Sequence, residues 1–148
     1  MATTLTVNNQ SQLEYQNAYK NGARAVANIY AKANESLNLW FVWRLGNGAA
    51  VDLTDYTGAF CVRERKDGHI VAATANTEGT GDGTMTLDFA GNIRINIDYT
   101  VIQPMYKTGD WVWDIVLRSP EGIVTRIIEG DFKIDRGITY LNDQPMMG

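Results

Sequence analysis

Between Leu37 and Leu45 every odd position is apolar (Leu37, Leu39, Phe41, Trp43, Leu45), while the even positions are Asn38, Trp40, Val42 and Arg44. Successive side chains on a strand point to opposite faces, so this period of two predicts a strand with its odd face in a core and its even face toward solvent or a partner. The same test succeeds three more times. Met85, Leu87 and Phe89 alternate with Thr84, Thr86 and Asp88; Ile93, Ile95 and Ile97 alternate with Arg94, Asn96 and Asp98; Trp111, Trp113, Ile115 and Leu117 alternate with Val112, Asp114, Val116 and Arg118.

Turn chemistry falls between these runs. Lys66-Asp67-Gly68-His69 separates a strand over Gly58 to Arg65 from one over Ile70 to Thr74; Ala90-Gly91-Asn92 and Ser119-Pro120-Glu121-Gly122 separate two further pairs; Gly46-Asn47-Gly48 is another turn. Each carries a glycine for positive φ, as a meander of hairpins requires. Thr77 to Gly83 reads as a glycine-rich mobile loop. With closing strands at Ile123 to Ile128 and Asp131 to Ile134, the spacing predicts an all-β, antiparallel sandwich of about seven or eight strands.

The first residues follow a different pattern. Gln10 to Lys20 is polar and free of Pro and Gly, with Leu13, Tyr15, Ala18 and Tyr19 on a weak helical stripe. A short helix is expected there, capped by Ser11 and Glu14 and ended by Gly22. Ala25, Ala27, Ile29 and Ala31 alternate, although their alanine content also suits a helix; a first strand near Arg24 to Ala31 is preferred. This divides the chain into an arm over 1–22, a sandwich over 23–139 and a tail over 140–148.

Composition adds mainly exclusions. Thirteen basic residues against seventeen acidic ones give a formal charge of −4 with no basic run, the wrong sign for tracking phosphates, so no direct nucleic-acid partner is expected. The opening MATTLTVNNQSQ lacks the basic and apolar regions of a secretory signal, and no run approaches the ~20 apolar residues of a membrane span. The expectation is a soluble chain made in the cytoplasm.

Candidate chemistry is sparse. The single cysteine, Cys61, lies inside a predicted strand, where a thiol is usually buried and inert. The single histidine, His69, lies at a predicted turn, so a Cys61–His69 pair would be the one nucleophilic arrangement available. Asp52, Asp55, Asp110 and Asp114 would form a glycosidase pair only through contacts that spacing does not supply. No catalytic residue, metal ligand or cofactor site is expected. Of the four tryptophans, Trp43, Trp111 and Trp113 fall on apolar faces and are expected in the core, whereas Trp40 falls on an outward face and is a candidate partner contact.

Two segments carry a resemblance. NLWFVWRLGNGAAVDLTDYTGAFCVRERKDGHIVAA and GDWVWDIVLRSPEGIVTRIIEGDFKID are similar to the immunoglobulin-like N-terminal module of tailed-phage baseplate upper proteins and related tail, fibre and head-attached proteins. The module's Asp-Leu-Thr-Gly-Tyr-like element is matched by Asp52-Leu53-Thr54-Asp55-Tyr56, and its closing hairpin by Trp113-Asp114, Glu121-Gly122, and Arg126 with Gly130. The resemblance spans about Ile29 to Thr139. It implies an immunoglobulin-like sandwich and a structural or accessory virion part at tail, baseplate, fibre or capsid, joined to other virion proteins and to copies of itself. No coiled stem or receptor-binding domain follows Thr139, so a complete fibre is not expected. The polar arm should order against the sandwich or a neighbour, which makes Leu5, Val7, Leu13, Tyr15 and Tyr19, with Trp40, the expected partner contacts. A carbohydrate-binding adhesion module that uses Trp40 on host surface glycan is the alternative.

Overall fold

The computed structural model describes residues 2–7, 13–17, 25–45, 48–65, 71–107 and 110–135. Ten strands are described: β1 (Ala2–Val7), β2 (Leu13–Asn17), β3 (Ala25–Lys32), β4 (Leu37–Leu45), β5 (Thr57–Glu64), β6 (Val71–Asn76), β7 (Gly83–Leu87), β8 (Asn92–Ile97), β9 (Trp111–Arg118) and β10 (Val124–Asp135). They run β1-β4-β8-β7-β6-β5-β9-β10-β3-β2, mostly antiparallel, with β10 beside β3 and a two-residue β6–β7 contact as the parallel pairings. That short contact is a corner. Around it the ladder folds into two layers, so that Phe41 of β4 stacks on Trp113 of β9 with ring centroids 6.2 Å apart, and Phe60 of β5 lies 5.8 Å from the same indole. The chain is an all-β sandwich.

Alternation explains most of the packing. Leu37, Leu39, Phe41 and Trp43 of β4, the three isoleucines of β8, and the four odd positions of β9 are all buried. Ala27, Ile29 and Ala31 are buried too, which settles β3 as a strand, and the small alanines let it lie close to its neighbours. Each buried large apolar side chain contributes roughly 1.5–3 kcal/mol relative to exposure. Outward-facing Trp40 is 37% exposed, as expected, although Val42 on the same face is buried.

Four expectations need correction. Leu13–Asn17 is a strand, not part of a helix, because it pairs antiparallel with β3, Leu13 opposite Ile29 and Tyr15 opposite Ala27, and edge pairing outweighs a weak helical stripe. The expected strands at Ile123 to Ile128 and Asp131 to Ile134 are one strand, β10, which absorbs its irregularity as a register shift between Arg126 and Ile128. Phe89 continues no core face: the chain turns after Leu87, leaving Phe89 74% exposed. A simple meander is also replaced, since β4 pairs with β8 and β5 with β9 across long stretches of sequence. Eight strands come from residues 25–135, and the arm adds two.

Periodicity assigns nothing to residues 98–107, where the chain forms a short helix α1 (Tyr99–Ile102) and then a 3-10 turn (Gln103–Lys107). The Asp98 carboxylate accepts from the Thr100 amide and hydroxyl and so caps the turn, while Ile102 and Met105 close one end of the core. The Thr77–Gly83 segment is tied by its own hydrogen bonds: Asn76 Oδ1 accepts from Thr80 N–H at 3.0 Å and Asp82 Oδ2 from Thr74 N–H at 3.0 Å. The Lys66–His69 turn, Gly46 and Asn47, Tyr19, Gly22 and the tail lie outside the described residues.

Candidate functional site

Trp40 is held, not loose. Register sets Trp40 opposite Arg94 and Val42 opposite Asn92 on β8. The indole Nε1–H donates to Asn92 Oδ1 at 2.8 Å, and the Arg94 guanidinium lies 4.0 Å from the ring centroid, within cation–π range. Asn92 is itself fixed, because Asp88 accepts from its amide at 3.1 Å, from its Nδ2 at 3.0 Å and from the Ala90 amide at 2.9 Å. The Asn92 side chain, then the Asn92 and Ala90 amides and the Arg94 charge, hold the Asp88 carboxyl below its ordinary pKa, against the opposing effect of burial. A sugar ring stacking on the covered side of Trp40 would have to displace Arg94. Around it, Asn38, Asn96, Thr84 and Thr86 line a shallow polar groove. Sequence alternation points to Trp40, but its partners emerge only once β4 and β8 are known to be neighbours.

The Asp52–Tyr56 element is a built turn. Asp52 Oδ1 accepts from the Thr54 hydroxyl at 2.6 Å and the Thr54 amide at 2.9 Å, which lowers the Asp52 pKa. Between them Leu53 is 1% exposed and enters the core, and its amide donates to Asp88 O at 3.2 Å, linking this turn to the β7–β8 turn. Asp55 has φ 64°, the left-handed region, where the resembled element carries glycine. Asp55→Gly should therefore leave stability unchanged within about 1 kcal/mol, whereas Asp55→Val should cost about 1–2 kcal/mol in denaturant unfolding. Equal losses from both would assign the role to the Asp55 side chain instead of its backbone.

Of the dispersed carboxylates, Asp55 and Asp110 stand far apart. Asp55 precedes β5 at one end of the sandwich and Asp110 precedes β9 at the other; β9 runs between those ends, a separation of roughly 25 Å at strand rise, against about 5–9.5 Å for a glycosidase pair. Asp114 lies mid-strand, opposite both Cys61 and Glu129. It is paired with Arg126 at 2.9 Å, and Asp131 with Arg65, so the outward face of β5, β9 and β10 balances its charges. Burial pushes the Cys61 thiol above its ordinary pKa, with Arg63 acting the other way, so the neutral thiol dominates at pH 7. His69 lies outside the described residues. Among the described residues no group of three or more His, Cys, Asp or Glu side chains is placed to hold a metal ion.

Gly130 explains the end of the second resembling segment. A Cβ at this position would overlap the Ala27 carbonyl oxygen and approach Trp113 Nε1 to 3.2 Å. The missing side chain lets that carbonyl reach in and accept the Trp113 indole hydrogen at 3.1 Å, which satisfies a buried polar pair beneath the aromatic cluster. The resembling residues thus serve the fold.

The expected partner contacts are separated. Leu5 and Val7 belong to β1 on the edge beside β4, Leu13 and Tyr15 to β2 on the edge beside β3, and Trp40 to the outward face of β4. Sequence reasoning missed a set at one end. The turn after β7 is tied to the 51–56 turn by Leu53 N–H to Asp88 O, and the Thr57–Arg118–Val124 register sets the β9–β10 hairpin at the same end of the strands; Phe89 on the first and Ile123 and Val124 on the last are exposed by 74%, 66% and 62%. Alternation places Phe89 and Ile123 inside strands and says nothing about which strand ends stand in water, so the pattern that finds strands does not find this set.

No family model matches the chain, and no curated protein matches it. Among solved structures it is similar to the N-terminal Ig1-2 module of the Drosophila receptor protein tyrosine phosphatase DLAR, at 9% identity and a TM-score of 0.38, over 90% of this chain and 50% of that one. The chain thus spans half the length of that structure, and a likeness this loose carries nothing about function.

Proposed function

We propose that this protein is a non-catalytic structural or accessory part of a tailed-phage virion, acting through protein–protein assembly. The observation that carries the assembly reading is the end bearing Phe89, Ile123 and Val124, three large apolar side chains left in water at the β7–β8 turn and the β9–β10 hairpin. Isolated exposed apolar residues are ordinary, but three at one end of a small sandwich suit a face that is covered in use. The virion reading rests on the sequence resemblance, whose turn, hairpin and Gly130 each have a physical role in this fold. Other virion proteins and further copies of the chain are its proposed partners, and the virion its location.

The test replaces Phe89, Ile123 and Val124 by serine together. Surface substitutions of this kind usually change stability by about 0.5 kcal/mol or less each, so the variant should melt near the parent temperature. In competition with the parent during phage production it should enter particles at least tenfold less often. Equal entry by a folded variant would contradict the assembly face.

A further inference from the structure

The two arm strands lie at opposite ends of the sheet order, β1 beside β4 and β2 beside β3, although only residues 8–12 separate them in the chain. Strands β3 to β10 form an unbroken ladder without either. The arm is therefore an addition to a complete scaffold, and it covers the two edges that a sheet must protect from unwanted pairing.

Its two strands are not equivalent. β2 is antiparallel to β3, the next described strand in sequence, so its pairing is local. β1 instead pairs with β4, about thirty residues on and at the other end of the sheet order from β2. Val7 and Leu13 are at most about 20 Å apart along the chain, enough to cross a sandwich about 10 Å thick or to pass to an adjoining copy. The β1 ladder is also incomplete: it runs from Ala2 opposite Leu45 to Val7 opposite Phe41, shifts register between Ala2 and Thr4, and leaves Leu37 to Trp40 outside its register.

We infer that β1 is an exchangeable strand, which pairs with the β4 edge of a second copy of this chain while β2 stays on its own β3. The occupant is named by complementarity, since a second copy's Ala2–Val7 fits that edge in the register the first one uses, and exchange conserves every contact of the ladder. Exchange by one strand is head to tail: each copy gives one strand and receives one, which generates a ring where the rotation closes and a filament where it does not. This deepens the assembly reading by naming a partner and rests on it only for its use in a particle.

Thr4 and Arg44 face each other in the register, and this gives the test. In a Cys61→Ala background, one chain carries Thr4→Cys and a second, distinguishable by mass, carries Arg44→Cys. Each should melt like the parent. Mixed at tens of micromolar and oxidised, they should yield a disulfide-linked heterodimer as the main product, and a chain carrying both cysteines should give linked multimers. Closure only within the double-cysteine chain, with the mixed single variants left unlinked, would overturn the inference; so would no disulfide in any combination, since β1 would then not occupy this edge. Absence of the protein from purified particles would remove the virion reading while leaving the heterodimer result standing, so the two failures are distinguishable.

Discussion

Gly130→Ala should destabilise the protein by about 4 kcal/mol, a loss far beyond the roughly 1 kcal/mol of a typical substitution. In an ordinary strand this change is mild or even favourable, because alanine restricts the unfolded chain. Here the methyl group would occupy the place of the Ala27 carbonyl oxygen. Either β3 moves away from β10, or that carbonyl rotates and abandons the Trp113 indole. A buried donor left without its acceptor costs about 1–3 kcal/mol, and overpacking adds about as much again. Trp113 is also the ring on which Phe41 and Phe60 meet from the two layers, so the disturbance reaches the centre of the core. Thermal unfolding should show a midpoint lower by on the order of 10 °C. A shift of only a few degrees would mean that the β3–β10 contact is looser than described.

Leu53→Ala should cost about 3 kcal/mol, although Leu53 stands in a turn. Removing buried leucine methyl groups costs about 2–5 kcal/mol, and the upper part of that range applies where the cavity cannot collapse. Leu53 is 1% exposed, and its turn is pinned by Asp52 with Thr54 on one side and by its own amide on Asp88 O on the other, so the backbone has little freedom to fill the gap. Denaturant unfolding should show the midpoint shifted with an unchanged slope. A cost below about 1 kcal/mol would show that the turn collapses and that Leu53 is no anchor.

Strands with strict alternation are legible in the order of residues alone. Leu37–Leu45 is strand β4 with the bounds read from the pattern, and the buried faces of β8 and β9 are those their alternation names. The separation of Trp40 from Trp43, Trp111 and Trp113 is legible for the same reason: one residue's shift in a period of two reverses the face. What fails has no such period. Leu13–Asn17 is a polar segment made a strand by the edge it pairs with, and nothing local encodes that edge. Phe89 extends an alternating run past the point where Asp88 turns the chain, and α1 is too short to show a helical stripe. The role of Gly130 depends on Ala27, about a hundred residues away, and so is visible in the sequence only as part of a resemblance. The same limit applies to the apolar end, where Phe89 of one turn and Ile123 and Val124 of a distant hairpin come to one end only after folding.

The decisive measurement for the proposed role is a count of this chain in purified tailed-phage particles from cells that produce it, by quantitative mass spectrometry against a major capsid standard. A structural part should be present in a fixed number of copies per particle, the same from preparation to preparation and retained through washing in high salt. A chain absent from particles, or present only in trace amounts that salt removes, would contradict the claim that this sandwich acts by being built into a virion.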